Sequence, residues 1–124
     1  MRESPSYIST KVIDVLLPIP SGTPISLFDD YGLSETIHLF GIVGTTATPL
    51  GNSGVTSSLS CRDGLTGDDF FKFDVTGGQA NSICPFVFML EDDSYIRINQ
   101  GLVLVPESSS SAAFSQLALT VIYQ

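Results

Sequence analysis

Positively charged side chains are scarce in this sequence. Of its 124 residues, 5 are Lys or Arg and 13 are Asp or Glu, so the net charge is −8. No Lys or Arg occurs between Val12 and Cys61. A nucleic-acid-binding protein needs a basic surface to displace counterions from phosphates, and binding to anionic membranes needs a similar surface. The sequence therefore predicts neither nucleic acid nor a membrane as a partner.

Residues that carry out catalysis or bind metals are also few. His38 is the only histidine, and it falls inside a predicted strand, whereas catalytic residues are disproportionately found on loops. No G-x-S-x-G motif is present. Structural zinc needs four N or S ligands, and Cys61, Cys84 and His38 supply three at unsuitable spacing. We therefore predict a protein that is not an enzyme, with no catalytic residue, no cofactor and no metal.

The sequence contains no tryptophan and no apolar run long enough for a transmembrane helix. Its N-terminus is polar, and the first apolar run is interrupted by Asp14 and Pro18, so we expect no signal peptide. Without secretion, Cys61 and Cys84 are expected to be free, buried thiols rather than one disulfide. The expected location is the cytoplasm or, for a viral protein, the virion surface.

Alternation of apolar and polar residues is the strongest pattern that the sequence does have. It recurs in short runs bounded by turn residues, and no 3.6-residue apolar stripe accompanies it. We predict an all-β single domain of about eight short strands, an antiparallel β-sandwich resembling a jelly roll, although another Greek key fits equally well. The predicted runs are residues 11–19, 25–28, 36–43, 55–61, 70–76, 83–90, 95–98, 102–105 and 116–124. Residues 1–20 would form an N-terminal arm and first strand, and residues 21–124 the sandwich body.

The same alternation predicts which side chains face the core. The clearest run is residues 70–76, and residues 83–90 are continuously apolar, as expected for a strand buried on both sides. Residues 44–54 and 106–115 are predicted loops, glycine-rich and serine-rich respectively. In residues 11–19 the inward side chains would be Ile13, Val15, Leu17 and Ile19. In residues 36–43, Ile37 and Leu39 would oppose His38, Phe40 and Ile42. The predicted core residues are Phe71, Phe73, Val75, Phe86, Phe88, Leu119 and Val121.

Acidic residues cluster in three predicted turns. The clusters are Asp29 with Asp30, Asp63 with Asp68 and Asp69, and residues 91–93. Converging carboxylates bind calcium in some sandwiches, but no EF-hand ligand order is present. Because Asp is favoured in turns for its own hydrogen bonding, turn formation is the preferred interpretation.

A small acidic β domain without catalytic residues suggests a structural protein that docks onto a larger assembly. The most concrete form is a viral or bacteriophage capsid decoration (cement) protein or a head-fibre domain, with a capsid or shell protein as partner and a tendency to form homo-oligomers. Tyr7 and Ile8 in the N-terminal arm are the expected partner-binding residues, since the arm has little secondary-structure signal of its own. The alternative function is a carbohydrate-binding, lectin-like β-sandwich.

Overall fold

The computed structural model describes residues 8–15, 19–77, 83–91 and 94–124, which contain eleven strands, one short α-helix and one 3-10 turn, Leu50–Asn52. The strands are β1 (Ser9–Val15), β2 (Ile19–Pro20), β3 (Ile25–Ser26), β4 (Ile37–Ala47), β5 (Thr56–Asp63), β6 (Asp69–Thr76), β7 (Ile83–Met89), β8 (Ile96–Ile98), β9 (Leu102–Ser108), β10 (Ala112–Phe114) and β11 (Gln116–Tyr123). The helix α1 (Leu27–Tyr31) follows β3 directly.

The strands pair in nested order, as one long antiparallel ribbon folded on itself. β1 pairs with β11, β2 with β10, β3 with β9, β4 with β7, and β5 with β6. Two further pairings, β11 with β4 and β9 with β5, join successive turns of the ribbon. The result is a first sheet of order β1-β11-β4-β7, in which β8 also pairs with β4, and a second sheet of order β3-β9-β5-β6. This wound ribbon is a jelly roll.

The predicted fold class, an antiparallel sandwich resembling a jelly roll, is therefore confirmed. The strand count differs, with eleven described strands rather than about eight. Four of the eleven, β2, β3, β8 and β10, are only two or three residues long, too short to give an alternating pattern in the sequence.

The core lies between the two sheets. Four of the seven predicted core residues are buried there: Val75, Phe86, Leu119 and Val121. Phe71, Phe73 and Phe88 are partly buried and pack against the core. They lie on β6 and β7, and each of these strands is the last in the order of its sheet, so their inner faces reach the rim of the sandwich. Leu17, another predicted inward residue, lies outside the described residues.

Two predicted loops contain strands. β4 continues through Gly44 to Ala47, within the predicted loop 44–54, because β11 and β7 flank it on both sides and supply its ladder. In the serine-rich segment 106–115, β9 extends to Ser108 and β10 follows. Phe114, at the end of β10, is completely buried.

The predicted strand 25–28 becomes a helix after two residues. Ser26 caps α1, and its Oγ accepts a hydrogen bond of 3.2 Å from the Asp29 N–H. Gly32 ends the helix in the left-handed conformation, with φ of 76°. The caps at both ends thus stabilise a helix where the short apolar run predicts a strand. In the described part of the chain, no helix combines the length and the apolar character needed to cross a membrane.

A β-bulge in β4 changes which side chains share a face. Tyr123 pairs with Leu39 and Ile122 with Gly41, so Phe40 is an extra residue in the ladder. His38, Phe40 and Ile42 were predicted on one face, but the bulge turns Ile42 into the core, where it is buried. This part of the alternation prediction is wrong because alternation assumes an unbroken ladder.

Candidate functional site: an open sheet edge

The inner face of β7 is held by stacked aromatic rings. Phe86 stacks on Phe73 of β6 with ring centroids 4.7 Å apart, and Phe88 stacks on Phe71 at 4.5 Å. β6 belongs to the second sheet and β7 to the first, so these two stacks tie the rims of the sheets together. Aromatic pairs contribute about 0.5–1.5 kcal/mol beyond their buried area. β7 is therefore fixed in place from its inner side.

The outer face of β7 is apolar and exposed. Alternation places Ile83, Pro85, Val87 and Met89 there, and we call these four residues the β7 surface. Ile83 is 69 % exposed, Val87 67 % and Met89 49 %. None of the seven residues of β7 is charged. The Met89 side chain lies over Gly41, where any Cβ would collide with the Met89 sulfur.

β7 is also an edge strand. The Cys84 carbonyl accepts a hydrogen bond from Thr46 of β4, and the Leu90 N–H donates to the Phe40 carbonyl at 3.1 Å, so the backbone groups of even-numbered residues face β4. By alternation, the backbone groups of Val87 and Met89 face the other way. In the described ranges, no strand pairs with β7 on that side. An apolar edge of this kind favours pairing with another chain.

The sequence did not predict this surface. Residues 83–90 were interpreted as a fully buried strand, because a continuous apolar run does not reveal which face is exposed. Pro85 was the available signal: it has no backbone N–H, so proline inside a strand is found essentially on edge strands or at bulges. Pro85 therefore favours an edge position or a bulge for residues 83–89.

The predicted partner-binding residues lie elsewhere. Tyr7 is outside the described residues, and Ile8 is an exposed residue immediately before β1. β1 is the edge strand at the opposite side of the first sheet, so the structure does not bring Ile8 to the β7 surface. Ser9 and Thr10, for which the sequence predicts no strand, pair with Tyr123 and Ile122.

Two of the acidic residues hold turns together. The Asp63 carboxylate accepts hydrogen bonds from the Asn99 N–H at 3.0 and 3.1 Å and from the Gln100 N–H at 2.7 Å. It thereby fixes the turn between β8 and β9. Asp69 accepts a hydrogen bond of 2.5 Å from Arg62 on the neighbouring strand. Both contacts support the interpretation of these clusters as turn-forming.

The remaining acidic residues are placed similarly. Asp29 and Asp30 lie in the first turn of α1, where the helix dipole favours negative charge. Asp92 and Asp93 lie outside the described residues. Within the described ranges, no three or more His, Cys, Asp or Glu side chains are grouped so that they could hold a metal ion.

Replacing Asp63 with alanine should lower the free energy of unfolding by about 1–2 kcal/mol, because the Asn99 and Gln100 N–H groups lose a charged acceptor. Chemical denaturation of the Asp63→Ala variant would measure this loss. Asp68→Ala is the matched control. Asp68 is an exposed residue of the turn between β5 and β6, so its removal should cost less than about 0.5 kcal/mol. Equal losses in both variants would contradict the role assigned to Asp63.

The histidine and the two cysteines have packed surroundings. His38 stacks against Tyr95 with ring centroids 4.3 Å apart. Both cysteines are free. Cys61 is buried in β5, and burial, aided by the nearby Asp69 charge, raises the pKa of its thiol from 9.0 to about 12. Cys84 is partly buried on the inner face of β7. A thiol that stays protonated is a poor nucleophile, so Cys61 is unsuited to covalent chemistry.

No protein-family model matches the sequence, and no curated protein is significantly similar to it. A solved structure from work on Bacillus endospore appendages, which form a novel family of disulfide-linked pili, is similar in fold. It superposes with a TM-score of 0.50 at 15 % sequence identity, over 100 % of this chain and 98 % of that chain. At this identity the likeness concerns the fold of the whole domain.

Proposed function

We propose that this chain is a non-enzymatic structural subunit that docks into a larger protein assembly through the β7 surface and the open edge beside it. The observation that carries the proposal is the exposure of Ile83, Val87 and Met89 together on an uncharged edge strand. Burying each of these side chains fully would contribute about 1.5–3 kcal/mol. Edge strands of monomeric proteins are usually protected by charges or a covering segment.

Copies of this chain are the favoured partners. The solved structure with the same fold comes from endospore appendages that form pili, and a pilus is built by repetition of its subunit. That comparison supports a surface appendage made of this chain over the other form of the proposal, decoration of a viral or bacteriophage capsid. In the capsid form, the β7 surface would instead meet a shell protein.

Non-covalent contacts would hold such an assembly together. The pili of the structurally similar endospore appendages are disulfide-linked. In this chain Cys61 is sealed in the core, and the Cys84 side chain is on the inner face of β7, away from the β7 surface. Neither thiol is presented at the proposed contact, so the assembly should form equally well with a reducing agent present.

The N-terminal residues remain part of the proposal. Ile8 is exposed immediately before β1 and is free to contact a neighbour. Tyr7 is proposed with it as a partner contact, as the sequence suggests. Ser9 and Thr10 belong to β1, so Ile8 is the one described residue that precedes the strand.

The test compares the intact chain with a Val87→Lys variant over a concentration series, by sedimentation velocity and negative-stain electron microscopy. The lysine places a charge in the proposed contact, so association should weaken by about 2 kcal/mol or more, roughly 30-fold in dissociation constant. The thermal transition of the isolated subunit should hardly move, because Val87 is exposed.

Leu65→Lys is the matched control. Leu65 is 61 % exposed in the turn between β5 and β6, so the same charge is added to another exposed apolar residue. This variant should assemble like the intact chain, with or without dithiothreitol. An intact chain that stays monomeric at every concentration would contradict the homopolymer. Docking onto a capsid shell protein would then be the form of the proposal that stands. Equal weakening by both lysines would contradict the assignment to the β7 surface.

A further inference from the structure

The first sheet has two open edges of equal length. β1 and β7 each contain seven residues and stand at opposite ends of the order β1-β11-β4-β7. β1 pairs with β11 along its whole length, and in the described part of the chain no strand pairs with its other side. In the described part of the chain, this sheet therefore presents two strands of equal length, each with one side unpaired.

Both edges carry exposed apolar side chains on the same outer face. On β1 the inward residue Ile13 is buried, whereas its neighbour Val12 is 69 % exposed and Ile8 is 62 % exposed. On β7 the inward residue Phe86 is buried, and Val87 is exposed to a similar degree as Val12. Each edge therefore presents an exposed valine on the outer face of the sheet, flanked on β1 by the polar residues Thr10 and Asp14.

The strand register places Val12 and Val87 in the same row across the sheet. Val12 pairs with Thr120, Thr120 with Val43, and Val43 with Val87, so a single row across the sheet begins at Val12 and ends at Val87. Three successive antiparallel pairings also make β1 and β7 antiparallel to each other. A second copy beside the first, in the same orientation, can add its β1 to β7 without inversion.

We infer that β1 of one copy pairs with β7 of the next, so that the first sheet continues from subunit to subunit, an inference that rests on the proposed function. With no shift in register, Val12 lies beside Val87, and Asp14 lies beside Pro85, which has no N–H to offer. The ladder is then carried mainly by the N–H and C=O groups of Val87 and Met89. The contact is heterologous, since two different edges meet, and it leads to a ring or an open helical filament.

Twist favours the filament. Adjacent strands rotate by about 20–25°, so each copy of four strands turns the continuing sheet by roughly 80–100°. Repetition of that rotation gives a helical assembly rather than a flat array. The alternative, β7 against β7 of a second copy, closes after two subunits and leaves the exposed Val12 of both uncovered.

Cysteine trapping tests the pairing in the full-length chain. Val12→Cys and Val87→Cys are made separately, each with Cys84→Ala to remove the partly exposed native thiol, and are oxidised alone and mixed. Opposite residues of an antiparallel pair have Cα atoms about 4.5–5.5 Å apart, within the range that a disulfide spans. We expect a crosslinked dimer in the mixture and in neither variant alone.

Thr120→Cys is the matched control for Val12→Cys. Thr120 stands in the same row but one strand further in, and so should not crosslink to Val87→Cys. Crosslinking of Val87→Cys to itself would overturn the inference in favour of β7 against β7. An assembly that Val87→Lys abolishes but that shows no crosslink in the mixture would also overturn it, while leaving the proposed function intact. A chain that does not associate with itself at all contradicts the homopolymer form of the proposed function, and this inference with it.

Discussion

The Phe114→Ala variant is expected to lose about 3–5 kcal/mol of folding free energy, as large-to-small changes at fully buried aromatic residues do. Phe114 is 0 % exposed and is one of the largest fully buried side chains. It ends β10, which pairs with β2, and the Ser57 hydroxyl donates a 2.7 Å hydrogen bond to the neighbouring Ala113 carbonyl. Because these contacts hold the backbone, the core cannot collapse to fill the cavity.

Urea denaturation of Phe114→Ala and Phe73→Ala side by side is the measurement. Phe73 is partly buried at the rim, stacked on Phe86, so its removal should cost less, about 1–3 kcal/mol. The alternating pattern of residues 70–76 alone would rank Phe73 as the more important residue. A larger loss in Phe73→Ala than in Phe114→Ala would contradict the placement of the core described above.

The fold class was predictable because two runs follow the two-residue period closely. In β6 the inward side chains are buried or partly buried, whereas Lys72, Asp74 and Thr76 are exposed. In β11, Leu117, Leu119 and Val121 are buried. Such runs indicate a sheet with a core on one side, and several short runs of this kind indicate a sandwich.

Other strands were not predictable, for physical reasons that differ. Phe114 follows a serine run, and the local composition indicates a loop although the contacts that bury Phe114 come from distant strands. β4 contains Gly41 and Gly44, which weaken any strand signal, yet neighbouring ladders on both sides maintain it. Local sequence carries little information about such long-range contacts.

The candidate site was hidden by the same ambiguity. A run such as residues 83–90 fits a strand that is buried on both faces and equally one with an exposed apolar face. Only the edge position of β7 decides between them, and edge position depends on strand order. The acidic clusters were easier to interpret as parts of turns, although Asp63 accepts its hydrogen bonds from Asn99 and Gln100, which lie 36 and 37 residues away in the chain.

Rigidity links the fold to the proposed assembly. The two aromatic stacks hold β7 from inside, at 4.7 and 4.5 Å, while its outer face is uncovered. A strand that is already ordered loses little conformational entropy when a partner strand binds, so more of the gain from buried apolar area appears as affinity. The β7 surface thus combines a fixed backbone with exposed side chains.

Stability of the intact chain should fall steeply between about pH 9 and pH 12, and most of this steepness should disappear in Cys61→Ala. Burial, with the nearby Asp69 charge, raises the pKa of Cys61 from 9.0 to about 12. Below pH 9 the thiol is protonated in both states, and above it the unfolded chain loses the proton first. The free energy of unfolding then falls by about 1.4 kcal/mol per pH unit, or about 4 kcal/mol over the interval.

Urea denaturation at several pH values from 8 to 11 would measure these slopes. Effects of pH that the two proteins share cancel in the difference between their slopes. Cys84→Ala is the matched control, since it keeps the Cys61 thiol and should retain the steep dependence. Identical slopes in the intact chain and in Cys61→Ala would show that Cys61 ionises as easily folded as unfolded. That result would contradict the raised pKa assigned to this buried thiol.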